Sequence, residues 1–251
     1  MHRDYRKSWS PALGRDMELL VFGARGTPVL VFPTSMGRFY QWEDFGLVGH
    51  MAPRVDQGRL QLWCVDSVDE ESFYARHRPP QERAARHLAY ERYVLDEVVP
   101  AIRGENEVPY LIAAGASFGA THVAMLVTRH PGIVNKAICL SGAYDVRRFL
   151  YEGHYGAEGE VTGRSDTAER DPTTYYLDPL AFLPGLADER YLAPLRATEI
   201  VIATGAEDPN VNDSRRLAAL LQEKGVPADL HVWDGWAHDW PYWKDMVDVF
   251  L

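Results

Sequence analysis

Short apolar runs alternate along the chain with longer stretches in which apolar residues recur at helical spacing. The spacing predicts an early strand over Met17–Phe22, bounded by Gly14 and Gly23. A second runs Val29-Leu30-Val31-Phe32, entered through Gly26-Thr27-Pro28 and closed by Pro33. Leu60–Val65 is the third. Residues 81–102 read as a helix, with Ala84, Ala85, Leu88, Tyr93, Leu95, Val98 and Val99 on one stripe. The strand Val108–Ala114 and the helix from Ala120 to about His130-Pro131-Gly132 follow. Ala137–Leu140, Glu199–Gly205 and Asp229–Trp233 are the remaining strands; helices over Arg215–Lys224 and Pro241–Phe250 separate and close them. Apolar strands alternating with helices predict an α/β fold, with a mostly parallel central sheet covered by helices on both faces. Residues 151–192 break the rhythm. They are rich in Gly, Tyr, Pro and acidic residues, and predict a lid-like insertion within one domain spanning 1–251.

Composition narrows the partners. The apolar fraction of 46% and the aromatic fraction of 12% support a large single core. A net charge of −10 with a pI near 5.4 argues against nucleic acid or an anionic membrane surface. Cys64 and Cys139 lie in apolar strand runs and read as buried reduced thiols without metal-site spacing. The charged start Met1–Lys7 is followed by no apolar signal region, and no run approaches a membrane span, so a cytoplasmic location is expected.

The candidate chemistry centres on Gly115-Ala116-Ser117-Phe118-Gly119. A serine between a buried strand and a helix, with glycines two before and two after, matches a sharp turn that lifts Oγ above the sheet edge. A serine hydroxyl needs a base, and the base an orienting carboxylate. Gly205-Ala206-Glu207-Asp208-Pro209 and Gly235-Trp236-Ala237-His238-Asp239 each follow a late strand, in the order serine, acid, base. His238 is favoured over eight other histidines. His122 lies one turn into the serine helix, His130 in its last turn and His231 within a strand; His2, His50, His77 and His87 follow no core strand end, and His154 falls in the expected lid. Asp208 is favoured over Glu207 as the acid, and Asp239 reads as a helix N-cap before Pro241. An oxyanion hole needs two backbone N–H groups: Phe118 supplies one, and the loop Pro33–Arg38 the other, from Ser35 with Thr34 and Met36 as its neighbours.

On these residues the chain resembles the α/β-hydrolase superfamily and, within it, the putative-esterase family. The resemblance rests on Gly-Ala-Ser-Phe-Gly-Ala from Gly115, Thr-Gly-Ala-Glu-Asp from Thr204, His-Asp-Trp-Pro-Tyr-Trp from His238 and, less specifically, Leu-Ser-Gly-Ala-Tyr-Asp from Leu140. One departure is the loop after the second apolar run, which reads Pro33-Thr34-Ser35 where the family usually has His-Gly or Asp-Gly. The resemblance implies a serine esterase with the triad Ser117, Asp208 and His238, acting through an acyl-serine without metal or cofactor. Its substrate would be a small-molecule ester. Phe39, Tyr40, Trp42, Tyr144 and Tyr155 are candidates to line the substrate site, with core packing as the competing role. A thioesterase, an acyltransferase or a small peptidase would use the same residues, and lyase or oxygenase-like chemistry could reuse the serine turn. A non-catalytic binding protein would be expected to lack a triad member. Exposed aromatics near the lid leave room for a homodimer.

Overall fold

Eight strands form one sheet, and the β-branched and apolar residues of its central strands are buried on both faces. The computed structural model describes residues 1–151 and 171–251. The strands are β1 (Arg3–Ser10), β2 (Arg15–Phe22), β3 (Thr27–Phe32), β4 (Leu60–Val65), β5 (Ile112–Ala116), β6 (Lys136–Leu140), β7 (Glu199–Gly205) and β8 (Ala228–Trp233). Their order in space is β1-β2-β4-β3-β5-β6-β7-β8. β1 and β2 run antiparallel to their neighbours; every pair from β4 and β3 to β7 and β8 is parallel.

Alternate residues of each central strand feed opposite cores, as the two-residue period of a strand requires. Leu30, Phe32, Trp63, Val65, Ala137 and Cys139 pack against the helices α3 (Pro80–Tyr93), α5 (Phe118–Arg129) and Val211–Glu223. Val29, Val31, Leu62, Cys64, Ile138 and Leu140 face α1 (Gln41–Asp44), α2 (Leu47–Asp56) and the closing helix Trp240–Phe250. A third cluster, with Phe73, Phe118, Met125, Val146, Phe149 and Leu177, sits over the start of α5. The chain is therefore an α/β-hydrolase fold, and the C-terminal ends of its six parallel strands open along one edge. No helix among the described residues is long and apolar enough to cross a membrane.

Several features depart from the sequence reading; the strand expected over Val108–Ala114 begins at Ile112 and runs to Ala116. The charged N-terminal segment forms β1, an edge strand whose residues are mostly exposed and polar. The helix expected over 81–102 holds a π-helical turn, Val94–Val98, between α3 and α4 (Val99–Glu105). The expected lid lies partly outside the described residues. From Pro172 onward it is helical rather than irregular: Pro172–Leu177, Pro179–Phe182 and Glu189–Arg196 each begin at an aspartate N-cap, and Leu177, Leu180 and Leu183 are buried beneath them.

Candidate active site

Ser117 sits between β5 and α5 with φ 53° and ψ −122°, a conformation that costs a non-glycine residue of order 1–3 kcal/mol. Its neighbours explain why the turn is so tight. A Cβ on Gly115 would meet the Gly119 backbone at 2.3 Å, and one on Gly119 would meet the Pro33 carbonyl oxygen at 2.5 Å. The two glycines thus let α5 lie directly against the ends of β5 and β3. The Ser117 N–H donates to the Leu140 carbonyl at 2.8 Å, tying the turn to β6. Phe118 is the first residue of α5, where an N–H has no intrahelical acceptor and faces the positive end of the helix dipole.

Ser117 Oγ lies 3.1 Å from His238 Nε2, and His238 Nδ1 lies 3.0 Å from Asp208 Oδ2. Asp208 is buried. Its Oδ2 also accepts from Thr204 Oγ1 at 3.0 Å, and its Oδ1 from the Asn210 N–H at 2.8 Å. An ionised carboxylate only accepts, so Nδ1 carries the imidazole proton and Nε2 presents a lone pair to the serine. Glu207 points to solvent. The loop that carries His238 is held from behind: Ser141 Oγ donates to the Ala237 carbonyl at 2.8 Å and accepts from Trp243 Nε1 at 3.1 Å. Trp236 and Trp243 flank the imidazole with ring centroids at 5.8 and 5.6 Å. Asp239 caps the closing helix, as its place before Pro241 predicts.

The loop after β3 approaches the same edge. Of its four N–H groups from Thr34 to Gly37, three are taken. Thr34 donates to Gln41 Oε1 at 2.8 Å, Met36 to Asp69 Oδ2 at 3.0 Å, and Gly37 to the Thr34 carbonyl at 2.9 Å. The Ser35 N–H has no acceptor among the described residues, so this donor is free to meet a ligand.

The aromatic candidates divide. Tyr40 is exposed. Phe39, Trp42 and Tyr144 are buried side chains, which fits the packing role weighed against substrate lining: Phe39 packs on Tyr5 and Tyr40, Trp42 lies in the α2 core, and Tyr144 is fully buried. Tyr155, like His154, lies outside the described residues. The sequence reading missed Phe73 and Tyr74, whose rings meet the Phe118 ring edge-on at 5.3 and 5.6 Å. They sit between β4 and α3, where no periodic pattern draws attention to them. It assigned no role to Thr204, four residues before Asp208, nor to Ser141 and Asp69, polar residues whose contacts lie far apart in the chain.

No curated protein sequence matches the chain. Among solved structures, a ferulic acid esterase is similar at 15% identity and TM-score 0.71, covering 98% of this chain and 95% of its own. An S-formylglutathione hydrolase from Agrobacterium tumefaciens shows 14% identity and TM-score 0.71, with 99% and 92% covered. The fluorophosphonate-binding serine hydrolase F of Staphylococcus aureus shows 16% identity and TM-score 0.69, with 99% and 96% covered. Likeness at this identity speaks for the fold. The family follows from the sequence itself: residues 10–248 match the family model described as "Putative esterase", and the chain belongs to that esterase family.

Proposed function

We propose that this esterase hydrolyses a carboxylic ester through an acyl-serine formed on Ser117. The observation that carries the reading is the unbroken relay from Ser117 Oγ to His238 Nε2 at 3.1 Å and from His238 Nδ1 to Asp208 at 3.0 Å. His238 Nε2 takes the hydroxyl proton as Oγ bonds to the substrate carbonyl carbon. The carbonyl π pair moves to oxygen, where the Ser35 and Phe118 N–H groups stabilise the oxyanion. Collapse of the tetrahedral adduct breaks the bond to the alcohol, which leaves with the proton from His238. Water then attacks the acyl-serine, His238 again accepting the proton. The carboxylic acid departs and Ser117 regains its hydrogen. Asp208 holds the imidazole tautomer and offsets the imidazolium charge throughout.

Hydrolysis of p-nitrophenyl esters from acetate to octanoate, wild type against Ser117→Ala, tests the reading. Loss of turnover by roughly 10⁴-fold or more in a folded variant is expected, and retained turnover rejects it. A thioester is the second substrate class to assay, because one of the similar folds is an S-formylglutathione hydrolase. The same nucleophile would expel a thiolate in place of an alcohol.

A further inference from the structure

We propose that Ser141 is a positioning residue for the base: its hydroxyl holds the peptide that carries His238 at the angle that brings Nε2 to Ser117. The inference rests on the acyl-transfer reading above and concerns how its base is aimed.

The carbonyl of Ala237 and the N–H of His238 belong to one planar peptide. Turning that carbonyl turns the backbone from which the imidazole hangs. Ala237 has φ 41°, a left-handed conformation that alanine avoids. Relaxation of this torsion swings the Ala237 carbonyl, and His238 after it, in a new direction. Ser141 Oγ opposes the swing by donating to the carbonyl at 2.8 Å. Among the described residues, this is the one hydrogen bond that reaches the backbone of Trp236, Ala237 and His238 from outside their loop. Trp236 Nε1 on the His238 carbonyl, at 3.2 Å, lies within the loop and moves with it.

The direction of the Ser141 proton is fixed. An indole N–H can only donate, so Ser141 Oγ accepts from Trp243 Nε1 at 3.1 Å, and its single proton is left for the Ala237 carbonyl. Ser141 and Ala237 are both 0% exposed, so solvent does not reach that carbonyl. Without the hydroxyl it would be a buried acceptor with no partner, and the peptide would turn to find one.

Ser141 is held firmly enough to act as the reference point. Its N–H donates to the Ala203 carbonyl at 2.7 Å, beside Thr204, whose hydroxyl binds Asp208. The residue before it, Leu140, accepts from the Ser117 N–H at 2.8 Å. The end of β6 is thus bonded to all three segments that carry Ser117, Asp208 and His238. Its bond to the His238 segment is the one made by a side chain, so substitution can remove it and leave the other two. A catalytic group works when its geometry is held within about 0.5 Å.

The test follows Ser141→Ala on p-nitrophenyl acetate. kcat should fall about 10–100-fold with KM within about threefold, because the bound ester keeps its contacts and the base loses its aim. The Nδ1–H that His238 shares with Asp208 should give a far-downfield proton resonance in the wild type, and it should shift or broaden in the variant. A merely structural role for Ser141 would leave it in place. Ser141→Ala also strands the Trp243 indole N–H, which lowers stability for a reason unrelated to the base. Trp243→Phe removes that donor. The double variant should regain stability, and Ser141→Ala should cost as much kcat in the Trp243→Phe background as in the wild type. Wild-type kcat in Ser141→Ala, an unmoved resonance, or a loss that disappears in the Trp243→Phe background overturns the proposal. If neither variant with Ser141→Ala folds, Ser141→Cys carries the test, since a thiol is similar in shape but a weak donor. kcat should again fall at constant KM, and an unchanged kcat overturns the proposal. Fluorophosphonate labelling of the wild type that is lost in Ser117→Ala tests the parent reading separately. Its absence would reject both.

Discussion

Glu207 and Asp208 are adjacent in sequence, and only the direction of the chain after β7 separates their roles. Asp208 turns inward to Thr204 and His238, while Glu207 turns outward and donates its backbone N–H to the Gly235 carbonyl. Pattern alone ranks the two weakly because both are acids directly after a strand. Asp208→Asn leaves the shape of the side chain but favours the wrong imidazole tautomer, so kcat should fall by about 10²–10⁴-fold. Glu207→Gln should stay within about threefold, because a solvated carboxylate loses little on neutralisation. Steady-state kinetics on one p-nitrophenyl ester checks both, and a larger loss at Glu207 would reassign the acid. His238→Ala should match Ser117→Ala in kcat, since members of such a unit are not additive; a much smaller loss would mean another base serves Ser117.

At the scale of elements, the serine turn works because α5 is pressed against β3 and β5. The atoms facing the missing Cβ of Gly119 are backbone carbonyls of Pro33 and Phe32, which cannot swing aside. Gly119→Ala should therefore destabilise the fold by about 2–4 kcal/mol or fail to fold, measured by urea unfolding. A variant as stable as the wild type would mean α5 can shift away from β3. The central strands and the helices after them were readable from the sequence because both of their faces are buried, which leaves unbroken apolar runs such as Val29–Phe32 and Ile200–Ala203. β1 was not readable. Arg-Asp-Tyr-Arg-Lys-Ser-Trp-Ser has one exposed face and an open edge, and so carries no apolar alternation. The cluster of Ser117, Asp208 and His238 was legible because each residue follows a strand end. Asp69 and Ser141 were not, since their significance lies in partners 33 to 102 residues away.

Across the whole molecule, Cys64 in β4 and Cys139 in β6 report on the stability of the sheet. Burial pushes the Cys139 thiol up to about 12 and the Cys64 thiol higher still. At pH 8 neither forms appreciable thiolate in the folded chain, and iodoacetamide should label neither until urea unfolds the sheet, when both react. Fast labelling of either thiol in native buffer would show that the sheet opens locally. The sheet also concentrates its backbone strain. Among the described residues, the non-glycine positions with positive φ are Met36, Ser117, Ser141 and Ala237, and each lies in a loop after β3, β5, β6 or β8. The face that presents the hydroxyl, the imidazole and the amide donors is thus the face where relaxation would release free energy. A thermostability screen of this protein blind to turnover would drift towards residues that let these four loops relax, and would gain melting temperature at the expense of rate. A screen for turnover would restore the strained residues, so the two libraries would diverge at one edge of one sheet and agree over the rest of the chain.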